Sequence, residues 1–281
     1  MVVRQISGRG LEVWQTFAVG GLGTVVLGLL SLGGAAAALQ SAVPVLVFLF
    51  ALFVFAVALQ DAGVLDHLAR WLVSRAQDTR DLPLVLFVGF GLLSSVIVND
   101  ALVLLGVPLL FALCRREGIP VRPLLLTLAY AVTVGSVLTP LGNPQNLLVS
   151  LSSGMRAPVV EFLRYLLVPT LLNLTMGAFL LRWAFRGTLG TSQPPTRTPL
   201  PFFPPGDWGA RIRRAPVLIA FPLTIGTIVG TDVASDVVGY TVAPIYLIAL
   251  IGAAAVLLGT TRRLSVLRRV DWSVLLLFAG L

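Results

Sequence analysis

Two short polar groups interrupt an otherwise apolar chain, and their residue types suggest what they could do. Asn99 and Asp100 stand inside residues 84–114, a stretch nearly free of other polar side chains. A carboxylate within hydrocarbon costs about 2.5–3.5 kcal/mol by the milder estimates, so something must offset it. The second group is "TPLGNPQN", residues 139–146, where Pro140, Gly142 and Pro144 would break a membrane helix. Asn143 before Pro144 is a good cap and first-position pair for a new half-helix. A helix that starts in mid-membrane presents unpaired N–H groups and about half a positive charge, which suits an anion. Unwound carbonyls, the amides of Asn99, Asn143 and Asn146, and the Thr139 hydroxyl suit a small cation such as sodium. Asp100 adds a fixed charge that could pair with a cation or carry a proton.

The elements that must position these residues are membrane helices. The sequence is 57% hydrophobic and 11% charged, with a mean hydropathy of +0.96; a soluble domain carries about 25% charged residues. Several runs reach the roughly 20 residues needed to cross a bilayer. The fold class expected is an all-α, polytopic membrane protein. The net charge of +8 is no sign of nucleic-acid binding, because every basic residue is Arg and the arginines cluster between apolar segments. That is the pattern of cytoplasmic loops. It places the N-terminus in the cytoplasm of a multi-pass protein of the cytoplasmic (inner) membrane. The single cysteine, Cys114, excludes an internal disulfide and reads as packing.

Along the chain, membrane helices are expected at 14–38 and 43–60. An amphipathic interfacial helix follows, with Leu65, Leu68, Trp71 and Leu72 on one face and Asp66 and Arg70 as an i,i+4 pair. His67, the one histidine, lacks a second ligand nearby and reads as an ordinary interfacial residue. Residues 82–114 form two arms about Asn99-Asp100. The second arm, about 21 Å long at 1.5 Å per residue, is too short to span the membrane. Arginines flank the unit on both sides, so both ends belong on one face and the unit reads as a re-entrant hairpin with Asn99-Asp100 at its tip. Residues 121–153 form the discontinuous helix. An interfacial stretch pairing Glu161 with Arg164 precedes a span over 165–185. Residues 187–214 are a Pro-rich cytoplasmic linker. Two crossings, 215–230 and 242–260, flank an outer loop carrying Asp232 and Asp236.

The final segment, "SVLLLFAG" at 273–280, lines up with "VLVFLFAL" at 45–52 but would run in the opposite direction. Opposed repeats mark inverted-repeat transporters. The division expected is therefore a first repeat over 1–186, the linker, and the start of a second repeat over 215–281, with most of that second repeat lacking. Simpler readings stay open: Asn99-Asp100 as an outer turn between short helices, and "GNPQN" as an ordinary turn. No HExxH, activated nucleophile, Walker loop or His/Cys cluster is present, so no enzyme is indicated.

"SSVIVNDALVLLGVPLL" followed by "TPLGNPQNLLVS" resembles the ion transporter superfamily, which includes divalent-anion/sodium symporters, citrate transporters and arsenite permeases. "VFLFALFVFAVALQDAGVLDHLARWL" is similar to the helix before the hairpin in these proteins, so the resemblance covers about residues 43–186. It implies a hairpin and a broken helix that together make half of a sodium and substrate site. Carried over by position, Ser95, Asn99 and Asp100 would serve from the hairpin, and Thr139, Gly142, Asn143 and Asn146 from the broken helix, with sodium at Asn99, Asp100 and Asn143. The tip departs from the Ser-Asn-Thr of the symporter branch. Val98-Asn99-Asp100 looks more like the arsenite-permease branch. The expected activity is secondary transport of a small inorganic or carboxylate anion, coupled to sodium or protons, with no other cofactor and no nucleic-acid partner. Membrane lipid is the expected surrounding, and a homodimer is expected by analogy. The alternatives are a sodium/proton antiporter that uses Asp100, and a transport-inactive half-carrier.

Overall fold

A computed structural model describes residues 12–76, 78–189 and 216–280; the side chains of residues 65–67, 69, 70, 105, 116 and 117 fall outside that description. Among the described residues the chain is helical, with no strand. Among the described residues, four helices are long and apolar enough to cross a membrane. The order is α1 Val13–Val26, α2 Leu32–Asp61, α3 Val64–Ser74, α4 Leu82–Ser94, α5 Asn99–Glu117, α6 Val121–Gly135, α7 Pro144–Ser152, α8 Pro158–Ala184, α9 Val217–Val238, α10 Ile245–Gly259, α11 Arg263–Arg269 and α12 Trp272–Gly280.

The first boundary differs from expectation. The chain breaks at 27–31, not near residue 40. Gly28 takes the left-handed region at φ 70°, which glycine adopts without strain, and Ser31 Oγ then caps α2 by accepting from Gly34 N at 3.0 Å. The run expected to join two helices is instead the first part of a 30-residue helix that carries Pro44 within it. The lower half of α2 is buried almost all round, from Val45 to Leu59, as suits a helix with no polar face.

Helix α3 is amphipathic. Leu72 is buried against α4, where a Cβ at Gly89 would overlap it, while Trp71 is exposed with the Arg75 guanidinium 4.7 Å over its ring. The side chains of the expected Asp66–Arg70 pair and of His67 lie outside the description. The expected Glu161–Arg164 pair is replaced: residues 158–184 are one continuous helix, and Arg164 binds Asp236 of α9 at 2.9 Å. Asp232 and Asp236 are not in a loop either. They sit in the last turns of α9, which runs on to Val238 and stops at Gly239 with φ 76°. Of the linker, residues 190–215 lie outside the described residues.

Two helix groups emerge from the packing. In the first, α4, α6 and α8 interlock so closely that glycine is required: a Cβ at Gly135 would overlap the Gly91 backbone, and Leu174 and Phe87 fill the notches at Gly91 and Gly177. Helix α5 joins it where Leu128 covers Gly106. In the second group, α2, α9 and α10 meet around Gly252, which sits under Thr224 and Phe55. The Phe55 and Phe221 rings meet edge-on there at 5.4 Å.

Candidate functional site

The two polar groups of the sequence meet. Helix α4 ends at Ser94, residues 95–98 are unwound, and α5 begins at Asn99. Asn99 and Asp100 are therefore the first turn of the second arm rather than the bend itself. Beside them, α6 ends at Gly135, a 3-10 turn covers Ser136–Leu138, and Asn143 caps α7. Only the first arm is short: thirteen residues in α4 give about 20 Å, well under the roughly 30 Å hydrocarbon core. The second arm is longer than the expected length of about 21 Å, because its helix takes in Asn99 and Asp100 and runs on to Glu117; its 19 residues give about 28 Å.

Hydrogen bonds to backbone carbonyls join the two breaks. Asn99 N donates to Gly142 O at 3.1 Å, and Thr139 Oγ1 donates to Ser95 O. Ser94 Oγ donates to Val132 O at 2.7 Å, one turn further down. Thr139 Oγ1 also accepts from Leu141 N at 3.1 Å, which fixes the loop after the 3-10 turn. Gly142 is tightly enclosed: a Cβ there would lie 2.6 Å from Ser94 O and overlap Ser136 O. No other residue fits at that crossing.

The broken helix then closes on its own amides. Asn143 Oδ1 accepts from Asn146 N at 2.8 Å, while its Nδ2 donates to Ser136 O at 3.2 Å and Ser136 Oγ at 3.1 Å. Asn146 Nδ2 reaches three carbonyls, those of Ser136, Val137 and Thr139, at 3.0–3.2 Å. These amides satisfy the carbonyls that the unwinding frees, as a buried backbone requires.

The hairpin side is more open. Asn99 Oδ1 accepts from Asp100 N at 2.9 Å, whereas the Asp100 carboxylate is exposed and makes no side-chain hydrogen bond or ion pair among the described residues. Asp271, at the start of α12, is close enough to interact with it electrostatically. Ser95, Thr139 and Asn143 are buried, and Asn99 and Asn146 are half-buried. All seven residues singled out in the sequence thus gather at one junction. Ser94, Ser136 and Asp271 were not singled out. Ser94 and Ser136 are serines in apolar surroundings, indistinguishable in sequence from those that bond their own helix.

The junction offers carbonyl oxygens, hydroxyls and one free carboxylate to a cation, and the starts of α5 and α7 to an anion. Among the described residues no group of three or more His, Cys, Asp or Glu could hold a metal ion.

Comparison with known proteins agrees with this architecture. The model of the citrate transporter family matches residues 9–281. The chain is 36% identical over 124 residues to the silicon efflux transporter LSI3 of Oryza sativa, 44% of this chain and 24% of that protein. It is 40% identical over 94 residues to the inner membrane protein YbiR of Escherichia coli, 34% of this chain and 25% of that protein. A 46 kDa membrane protein of Mycobacterium leprae is 26% identical over 144 residues, 48% of this chain and 34% of that protein. The matches thus span about a quarter to a third of these relatives. The chain belongs to the citrate transporter family, a family of membrane transporters rather than enzymes, as the absence of catalytic motifs led us to expect.

Proposed function

We propose that this member of the citrate transporter family contributes half of the substrate and ion site of a secondary carrier. The carrier moves a small anion or oxyanion across the inner membrane, driven by sodium or protons. The observation that carries this reading is the pair of bonds, Asn99 N to Gly142 O and Thr139 Oγ1 to Ser95 O, that unite two broken helices. Broken backbone at membrane depth is tolerated where it lines a site. The names of family and relatives speak of citrate and of silicon efflux, cargoes that span carboxylates and small oxyacids.

Arginine placement supports the orientation. Among the described residues, Arg75, Arg80, Arg115, Arg122, Arg182, Arg186 and those of α11 lie at the ends that the hairpin shares, and Arg156 and Arg164 lie at the other. By the positive-inside rule the hairpin opens toward the cytoplasm, and α1 starts there. In this reading Ser95, Thr139 and Gly142 hold the junction, Asn143 and Asn146 brace it, and Asn99 and Asp100 face the cargo.

The unpaired Asp100 carboxylate favours one second reading, a sodium/proton antiporter in which Asp100 carries the exchanged ion. Vesicles of the full-length carrier separate the two. Anion uptake that follows an imposed sodium or proton gradient supports symport; sodium-driven proton movement without any anion supports exchange. Neither activity in folded carrier would refute both.

A further inference from the structure

Polar links between the two helix groups gather at one end of the molecule. At the arginine-rich end, the ion pairs among the described residues stay within a group. Arg182 of α8 binds Asp81, just before α4, at 2.8 Å. Arg269 of α11, a short helix packed beside α2 and α10 of the second group, binds Asp61 at the end of α2, and its Nη2 also reaches Gln60 Oε1 at 2.6 Å. At the opposite end the links cross from α8, in the hairpin group, to α9, in the other. Arg164 binds Asp236 at 2.9 Å, and Arg156 Nη1 donates to Gly239 O at 2.7 Å.

The third crossing link is the deepest. Asp232 is 2% exposed, and its Oδ2 accepts from Val160 N at 2.9 Å. Helix α8 has Ala157 at its N-cap position and so no capping side chain of its own. Asp232 supplies that cap from another helix, where a carboxylate also meets the positive end of the α8 dipole. A buried carboxylate is retained only with such compensation.

We propose that Asp232, Asp236 and Arg156 form an outer clasp that holds the hairpin group against the other helices, with Asp232 as a positioning residue that must release α8 for the two groups to move apart. The inference rests on the carrier reading for its purpose. The clasp itself can be tested without transport.

The test uses the full-length carrier in cells, with Cys114→Ala removing this chain's one cysteine and any cysteine elsewhere in the carrier also replaced. Ala157→Cys, at a position 1% exposed beside the clasp, reports opening through its reaction with a membrane-impermeant maleimide. Ala249→Cys, 0% exposed within α10, reports general loosening. Adding Asp232→Ala should speed labelling at position 157 about tenfold, the effect of about 1.4 kcal/mol, and leave position 249 unchanged. If Asp232→Ala does not reach the membrane, Arg156→Ala with Asp236→Ala, both at exposed positions, should give about threefold. An unchanged rate at 157 in whichever variant is read, or an equal rise at 249, overturns the clasp. Absent uptake by the parent carrier would count against the carrier reading alone.

Discussion

The two breaks that meet at the junction use their polar side chains in opposite ways. In the broken helix the amides are bound up: Asn146 donates to three carbonyls and Asn143 joins Ser136 to the start of α7. In the hairpin the backbone is tied down through Asn99 N, yet Asp100 is exposed and unpaired among the described residues. One break is therefore built as a brace and the other leaves a charge available. Residues of similar type at the same junction need not share a role. The partners of each amide decide which holds the fold and which can meet a ligand.

The largest effect should come from filling the space where the breaks cross. Gly135→Ala places a Cβ into the Gly91 backbone, and Gly142→Ala places one 2.6 Å from Ser94 O. Backbone cannot yield as a flexible side chain does, so each should cost about 3 kcal/mol or more and abolish uptake together with folding. Detergent melting and surface expression measure this. If Gly142→Ala melts like the parent, the crossing is looser than described.

Asn146→Ala comes next and bears on the comparison directly. It takes the side-chain donor from Val137 O, while Ser136 O keeps Asn143 Nδ2 and Thr139 O keeps Gly142 N, an expected loss of about 2 kcal/mol. Uptake well below the melting temperature should stay within a few-fold of the parent. A loss of uptake with unchanged melting would move Asn146 from brace to site. Asn143→Ala should cost about 1–2 kcal/mol, mainly as a lost helix cap, on the same assay. Asp236→Ala is the smallest, under about 1 kcal/mol in melting, because its partner Arg164 is 52% exposed.

Much of this junction was legible in the sequence. Pro140, Gly142 and Pro144 within an apolar run mark a break because proline removes a donor and fixes φ. The length of the second arm was not legible: Asn99 and Asp100 read as the bend, yet they open a helix of 19 residues that runs past Arg115 and Arg116. Other features were not legible. The α1–α2 boundary lies in a run of Leu, Gly and Ala with no charge to mark it, and the decisive residues, Gly28 and Ser31, are ordinary there. Asp232 looked like a loop residue because its partner, Val160 N, is 72 positions away. A cap supplied by another helix leaves no local pattern. The same holds for Arg164, whose neighbour Glu161 offered a nearer partner than the one it takes.

The most direct test is ion-driven uptake by Asp100→Asn in the full-length carrier, normalised to folded protein by melting. Because this carboxylate has no hydrogen-bond or ion-pair partner among the described residues, melting should match the parent while coupled uptake falls about 100-fold or more. Unchanged, still ion-dependent uptake would contradict the role given to Asp100, and with it the division of the junction into a brace and a site.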